Sequence, residues 1–143
     1  QNKTKILGIW QAKLNGKYMT GRDFGTTSAP YASQYIYYIF IKENCYLAIA
    51  PGKSSLTKTN IEKLINKEAA GMGTYDFYES LADIPEYMRS TYEESGPFKP
   101  NTCFIESYLS GETIRFYFEP SVKKLYGLNK EINFELVYVG PSW

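Results

Sequence analysis

Residues 113 to 119 read Thr-Ile-Arg-Phe-Tyr-Phe-Glu, which sets Ile114, Phe116 and Phe118 on one side of an extended chain and Thr113, Arg115, Tyr117 and Glu119 on the other. A two-residue period with one apolar side specifies a strand whose inner face is dry and whose outer face meets a polar environment. The pattern returns near the end of the chain. There Ile132, Phe134, Leu136 and Tyr138 oppose Asn133, Glu135, Val137 and Val139, and Gly140-Pro141 closes the run. Two Tyr- and Ile-rich runs, 34–41 and 45–50, are joined by Lys42-Glu43-Asn44 and read as a hairpin. Further strands are expected over 74–79 and 102–109, and Ser110-Gly111 links the latter to the Ile114 strand as a second hairpin. Weaker candidates, 5–13 and 17–24, flank the turn signal Asn15-Gly16. The expectation is about seven to nine short strands.

Helical content is expected to be small. Over 57–70, Ile61, Leu64 and Ile65 recur at helical spacing among Lys, Glu and Asn, so this stretch predicts one amphipathic helix, capped by Thr57 or Thr59 and stopped by Gly71. A short helical turn is expected near Pro85 to Thr91 with Met88 on its buried side, and 90–101 reads as a surface loop. No internal repeat or linker divides the chain, so residues 1–143 are expected to be a single domain, all-β, built as an antiparallel barrel or sandwich with one helix inserted.

Composition excludes several chemistries. The chain has no His and only two Cys, which removes Ser-His-Asp and Cys-His nucleophiles, His-ligated zinc and a four-thiolate zinc site. No cofactor is called for. With 16 Lys and Arg against 15 Asp and Glu, there is no electrostatic case for nucleic acid or an anionic membrane surface. No apolar run approaches the length of a membrane span. The chain opens at Gln1 without an initiator Met, which suits a mature fragment after a removed leader or a trimmed chain, and a secreted or periplasmic location is expected. Cys45 and Cys103, each within an expected strand, are either a disulfide, worth roughly 4 kcal/mol on chain-entropy grounds, or two buried thiols acting as small apolar residues.

Gly8-Ile9-Trp10, inside the first expected strand and shortly before a tight turn, resembles the opening of the lipocalin family and its lipocalin-like bacterial relatives. The aromatic hairpin over 35–50, the Gly73-Thr74-Tyr75 strand opening and the paired strands of 102–119 resemble the successive hairpins of such domains, so the resemblance covers most of the chain. It implies a closed antiparallel β-barrel of about eight strands with an apolar interior, in which Gly allows a close approach and the indole plugs one end. The Thr-Asp-Tyr type motif of classical members, and their Arg that packs over the Trp, have no counterpart here, which leaves the broader calycin-type barrel, or an unrelated β-barrel, as the readings.

The compositional anomaly is aromatic: 14 Tyr and 8 Phe. The expected inward set, Trp10, Tyr38, Phe40, Tyr75, Phe77, Phe116, Phe118 and Tyr138, would line a pocket for a small hydrophobic or planar ligand if the barrel is hollow. The same rings would form a solid core if it is not. Tyr35, Tyr37, Tyr46, Tyr108 and Tyr117 fall on the opposite face and are expected as an exposed aromatic surface, a candidate protein interface together with residues 80–101. The carboxylates Asp76, Glu79, Asp83, Glu86, Glu93, Glu94, Glu106, Glu112 and Glu119 show no spacing that sets two across a cleft and read as a solvated face, while Arg115 suits a cross-strand ion pair. Gly71-Met72-Gly73 follows a helix instead of opening one and is not a phosphate cradle. The expected function is a non-enzymatic binding protein, with a small ligand inside the barrel or a protein partner outside it.

Overall fold

The computed structural model of the protein describes residues 2–66, 71–128 and 134–141. The strands are β1 (Gly8–Leu14), β2 (Lys17–Tyr18), β3 (Tyr35–Ile41), β4 (Asn44–Ala50), β5 (Gly71–Tyr78), β6 (Cys103–Leu109), β7 (Glu112–Glu119), β8 (Lys124–Gly127) and β9 (Phe134–Gly140). Apart from the two-residue β2, which folds back on β1, each strand pairs antiparallel with the next, and β9 returns to β1. Eight strands thus close an antiparallel up-and-down barrel, the all-β architecture expected from the alternation. Closure removes the free edges that would otherwise invite pairing with other chains.

The alternation resolves into an inner and two outer layers. Inside, Trp10 and Ala12 of β1, Ile36, Tyr38 and Phe40 of β3, Phe116 and Phe118 of β7 and Leu136 of β9 join one buried cluster. Outside, the helix α2 (Lys58–Asn66) lies over the β1–β3–β4 wall, where Leu56 and Ile61 cover Ile9, Tyr37, Ile39 and Tyr46. Thr57 Oγ1 accepts from the Asn60 amide at its start, one of the two caps expected there. Gly71, expected to stop the helix, opens β5, and residues 67–70 between them lie outside the described residues. So do the side chains of Leu64 and Ile65. A second excursion, residues 80–102 with the helix α3 (Glu86–Glu93), covers β6 and β7 through Ile84 and Tyr92 on Phe104.

Several local expectations are corrected. Residues 2–5 form a short helix, α1 (Asn2–Lys5), so the first strand starts at Gly8, and the 17–24 segment keeps only two strand residues before a 3-10 turn at Gly21–Phe24. The strand β8 is not among those expected, because Lys-Leu-Tyr-Gly is too short to show a period. The stretch 90–101 is not a plain surface loop, since Tyr92 is fully buried and Phe98 packs on Phe104 and Tyr117. β9 ends at Gly140, opposite Ile9, as the Gly140-Pro141 signal expects, and Ile132 and Asn133 lie outside the described residues. Cys45 and Cys103 are buried free thiols.

One end of the barrel is closed. Trp10 donates its indole N–H to the Ile6 carbonyl at 2.8 Å, which ties the ring to the turn after α1. α1 is held over this end by a Lys3–Glu43 ion pair at 2.8 Å and an Asn2–Glu79 hydrogen bond at 2.9 Å. Gly8 is needed for this arrangement: its φ is +132°, and an added Cβ would lie 2.7 Å from both the Gly140 carbonyl oxygen and the Tyr138 ring.

Candidate functional site

All eight residues expected to line a pocket point into the barrel. Trp10, Tyr38, Phe40, Tyr75, Phe116 and Phe118 belong to the buried interior cluster, and Phe77 and Tyr138 pack against it partly buried. The rings touch one another in two chains. Tyr138 meets Trp10 at 5.1 Å between centroids, Trp10 meets Phe118 at 6.0 Å and Phe118 meets Phe77 at 6.5 Å. Tyr75 meets Phe40 at 5.1 Å, Phe40 meets Phe116 at 6.3 Å, and Tyr38 lies 5.4 Å from Phe116 and 6.4 Å from Phe134. All are edge-to-face contacts within the distances at which such rings attract, so the side chains fill the volume between the walls where they meet. Lys123 holds its ammonium 3.8 Å over the Tyr138 ring, which in turn leans on Trp10.

The outward tyrosines do not form the exposed surface expected of them. Tyr37 and Tyr46 are buried under α2, Tyr35 is half-buried beside them, and Tyr117 is stacked on Tyr126 at 4.8 Å and edged by Phe98. Of the five, only Tyr108 is exposed. The reason is that the two excursions lie on the barrel wall and use these rings as their own floor.

A polar cluster sits on the outer wall under α3. Register sets Asp76 of β5 beside Glu106 of β6, and Glu106 beside Arg115 of β7. Tyr92 donates its hydroxyl to Glu106 Oε1 at 2.7 Å, Arg115 Nε approaches the same oxygen at 3.4 Å, and Tyr108 donates to Asp76 Oδ2 at 3.0 Å. Arg115 therefore makes the cross-strand ion pair expected of it. Glu106 departs from the solvated-face reading, being 5% exposed. Burial first, and then the Glu106 carboxylate that it bonds, push the Tyr92 phenol well above its usual range. Burial, then the hydrogen bond to Asp76, pushes Tyr108 in the same direction.

Among the described residues, at least four cavities reach the size of small-molecule sites, of about 480, 400, 340 and 300 Å³, and the first two have aromatic rings in their lining. A cleft of about 480 Å³ lies between β6 and the 80–102 excursion, floored by Phe104, walled by Leu81, Pro97 and Phe98 and rimmed by Glu79, Glu93 and Lys99. Phe98 and Phe104 meet edge to face at 4.9 Å, which fixes that floor. A cup of about 400 Å³ lies at the end of the barrel opposite Trp10, lined by Leu14, Met19, Ile114 and Phe134 with Asp23 and Arg115 at its edge. The cleft residues escape sequence reading because 90–101 is polar on average. The available signal is Ile84, Met88 and Tyr92 at successive four-residue intervals, a helical stripe that needs an apolar surface to lie on.

Among the described residues, no group of three His, Cys, Asp or Glu side chains is placed to hold a metal ion, and no helix is long and apolar enough to cross a membrane. Burial, and next Glu79, push the Cys103 thiol up to about 11, and burial raises Cys45 further, so both are held as neutral thiols. Compared with family models, with curated proteins and with solved structures, the chain finds no match, and its closed eight-stranded antiparallel barrel stands on its own geometry.

Proposed function

We propose that this chain is a non-enzymatic binding protein in which the ring-filled barrel is a rigid scaffold and the cleft between β6 and the 80–102 excursion takes a small ligand. The observation that carries this is a contrast of room. The eight interior rings contact one another, whereas the cleft keeps about 480 Å³ beside an aromatic floor, within the range of small-molecule sites. The excursion is also well anchored. Tyr92 is buried with its hydroxyl on Glu106, and Arg89 donates to the Ile84 and Ala82 carbonyls, so the cleft is preformed and little ordering cost attends binding. Kinship with lipocalin-like barrels is supported by the closed meander and by the positions of Gly8 and Trp10 at the plugged end.

A second reading, uptake at the open end, is favoured by the cup at Leu14, Met19, Ile114 and Phe134, whose floor continues into the Tyr38 ring. One titration separates them. With neutral indole as a planar apolar probe and amide shifts as the readout, the proposal expects changes at Leu81, Gly96, Phe98 and Thr102. Changes at Met19, Thr113 and Ile114 select the open end instead. A shifted Trp10 indole N–H resonance, meaning entry into the ring-filled interior, overturns the scaffold reading.

A further inference from the structure

From residue 76 to residue 94 the chain carries six carboxylates, Asp76, Glu79, Asp83, Glu86, Glu93 and Glu94, against one cation, Arg89, although the whole chain is nearly neutral. Arg89 does not line the cleft, and its guanidinium is held at the backbone carbonyls of Ala82 and Ile84. Two of the six stand on the rim of the cleft. Glu79 accepts from the Asn2 side-chain amide, and the Glu93 carboxylate has no hydrogen bond or ion pair among the described residues. Below them lie the perpendicular Phe98 and Phe104 rings with Leu81 and Pro97. A ligand that satisfies both layers has a planar apolar body to cover the rings and a positive group to meet the carboxylates.

We propose that the cleft selects an aromatic amine in its protonated form, with the ring over Phe98 and Phe104 and the ammonium between Glu79 and Glu93. The inference rests on the external-cleft reading and adds the charge of the ligand to it. Lys99, the one cation on the rim among the described residues, opposes the ammonium. Its removal therefore tightens binding of an amine, which a merely hydrophobic cleft would not show.

The test is a titration of the full chain with phenethylamine, a cation at neutral pH, against its neutral isostere phenethyl alcohol and the anion hydrocinnamate, followed by amide shifts and calorimetry. Because each exposed carboxylate supplies a modest, screened attraction, the amine is expected to bind about fivefold tighter than the alcohol, and Glu93→Gln to remove about half of that advantage. Glu79→Gln combined with Glu93→Gln is expected to abolish the advantage while leaving affinity for the alcohol unchanged, since the amide oxygen introduced at position 79 still accepts from Asn2 and the rings are untouched. Lys99→Gln is expected to strengthen the amine about twofold, and added salt to bring amine and alcohol together. Equal affinity for amine and alcohol, or tighter binding of hydrocinnamate, with shifts still at Leu81, Gly96, Phe98 and Thr102, overturns the charge inference and leaves the cleft reading standing. No shifts at those amides with any of the three probes overturns both.

Discussion

Alkaline pH attacks this protein at its most unusual feature, tyrosines inside the wall and under the excursions. Tyr38, Tyr75 and Tyr92 are each at most 4% exposed, and burial raises their phenols well above the value of about 10 expected in the unfolded chain. A group with a raised folded pKa contributes stability that is intact below the unfolded pKa and lost as pH climbs beyond it, because the unfolded chain then ionises and the folded one does not. The window therefore opens near pH 10. Each such phenol lowers stability by about 1.4 kcal/mol per pH unit, so the three together remove about 4 kcal/mol by pH 11 and about 8 kcal/mol by pH 12. That is comparable to the whole stability of an ordinary domain, about 5 to 15 kcal/mol. Tyr37 and Tyr46, beneath α2, shift in the same direction and steepen the loss. The assay is a pH titration that follows phenolate absorbance together with far-ultraviolet circular dichroism. The expected result is a late, cooperative rise in phenolate that coincides with loss of the strand signal, and Tyr92→Phe is expected to flatten the pH slope by about one phenol's share. If all fourteen tyrosines ionise while the strand signal persists, the packing described for the interior is refuted.

Single contacts yield further expectations. Tyr92→Phe removes the 2.7 Å bond to the buried Glu106 carboxylate and is expected to cost about 1.5 to 3 kcal/mol in urea unfolding, and about 1 kcal/mol or less in a Glu106→Gln background. Equal costs in the two backgrounds would mean that the bond carries no weight. Gly73→Ala sets a Cβ 1.6 Å from the Tyr108 carbonyl oxygen, so β5 and β6 must separate there, and a loss of about 3 kcal/mol or more is expected from the melting temperature. A variant within about 0.5 kcal/mol of the parent would contradict that close approach. Both cysteines are buried thiols with raised pKa values, so neither is expected to react with a disulfide reagent near pH 8 until denaturant is added, when two thiols per chain should titrate; fast labelling of the native protein would oppose this.

The alternation Ile114-Phe116-Phe118 is sufficient to assign faces, and with it the antiparallel sheet and the inward direction of all eight rings from Trp10 to Tyr138. Gly8 and Trp10 are legible for a related reason, since few residues tolerate a positive φ at a crowded strand crossing and an indole at a closed end is a large, local signal. Faces, however, are a property of one strand at a time. How much space the inward rings leave depends on the number of strands that close, their register and the meeting of Trp10 with Phe118 or Tyr38 with Phe116 across the barrel, all of which are contacts distant in sequence. The same holds outside. Tyr37, Tyr46 and Glu106 stand on the outer face as the period requires, yet they are buried, because α2 and the 80–102 excursion lie over them. By itself the sequence determined the alternation, the absence of imidazole chemistry and the side of the wall on which each residue stands. Only the tertiary structure decided that the interior rings meet, that the outer rings are covered and that room remains beside Phe98 and Phe104, because period sets direction and only packing sets distance.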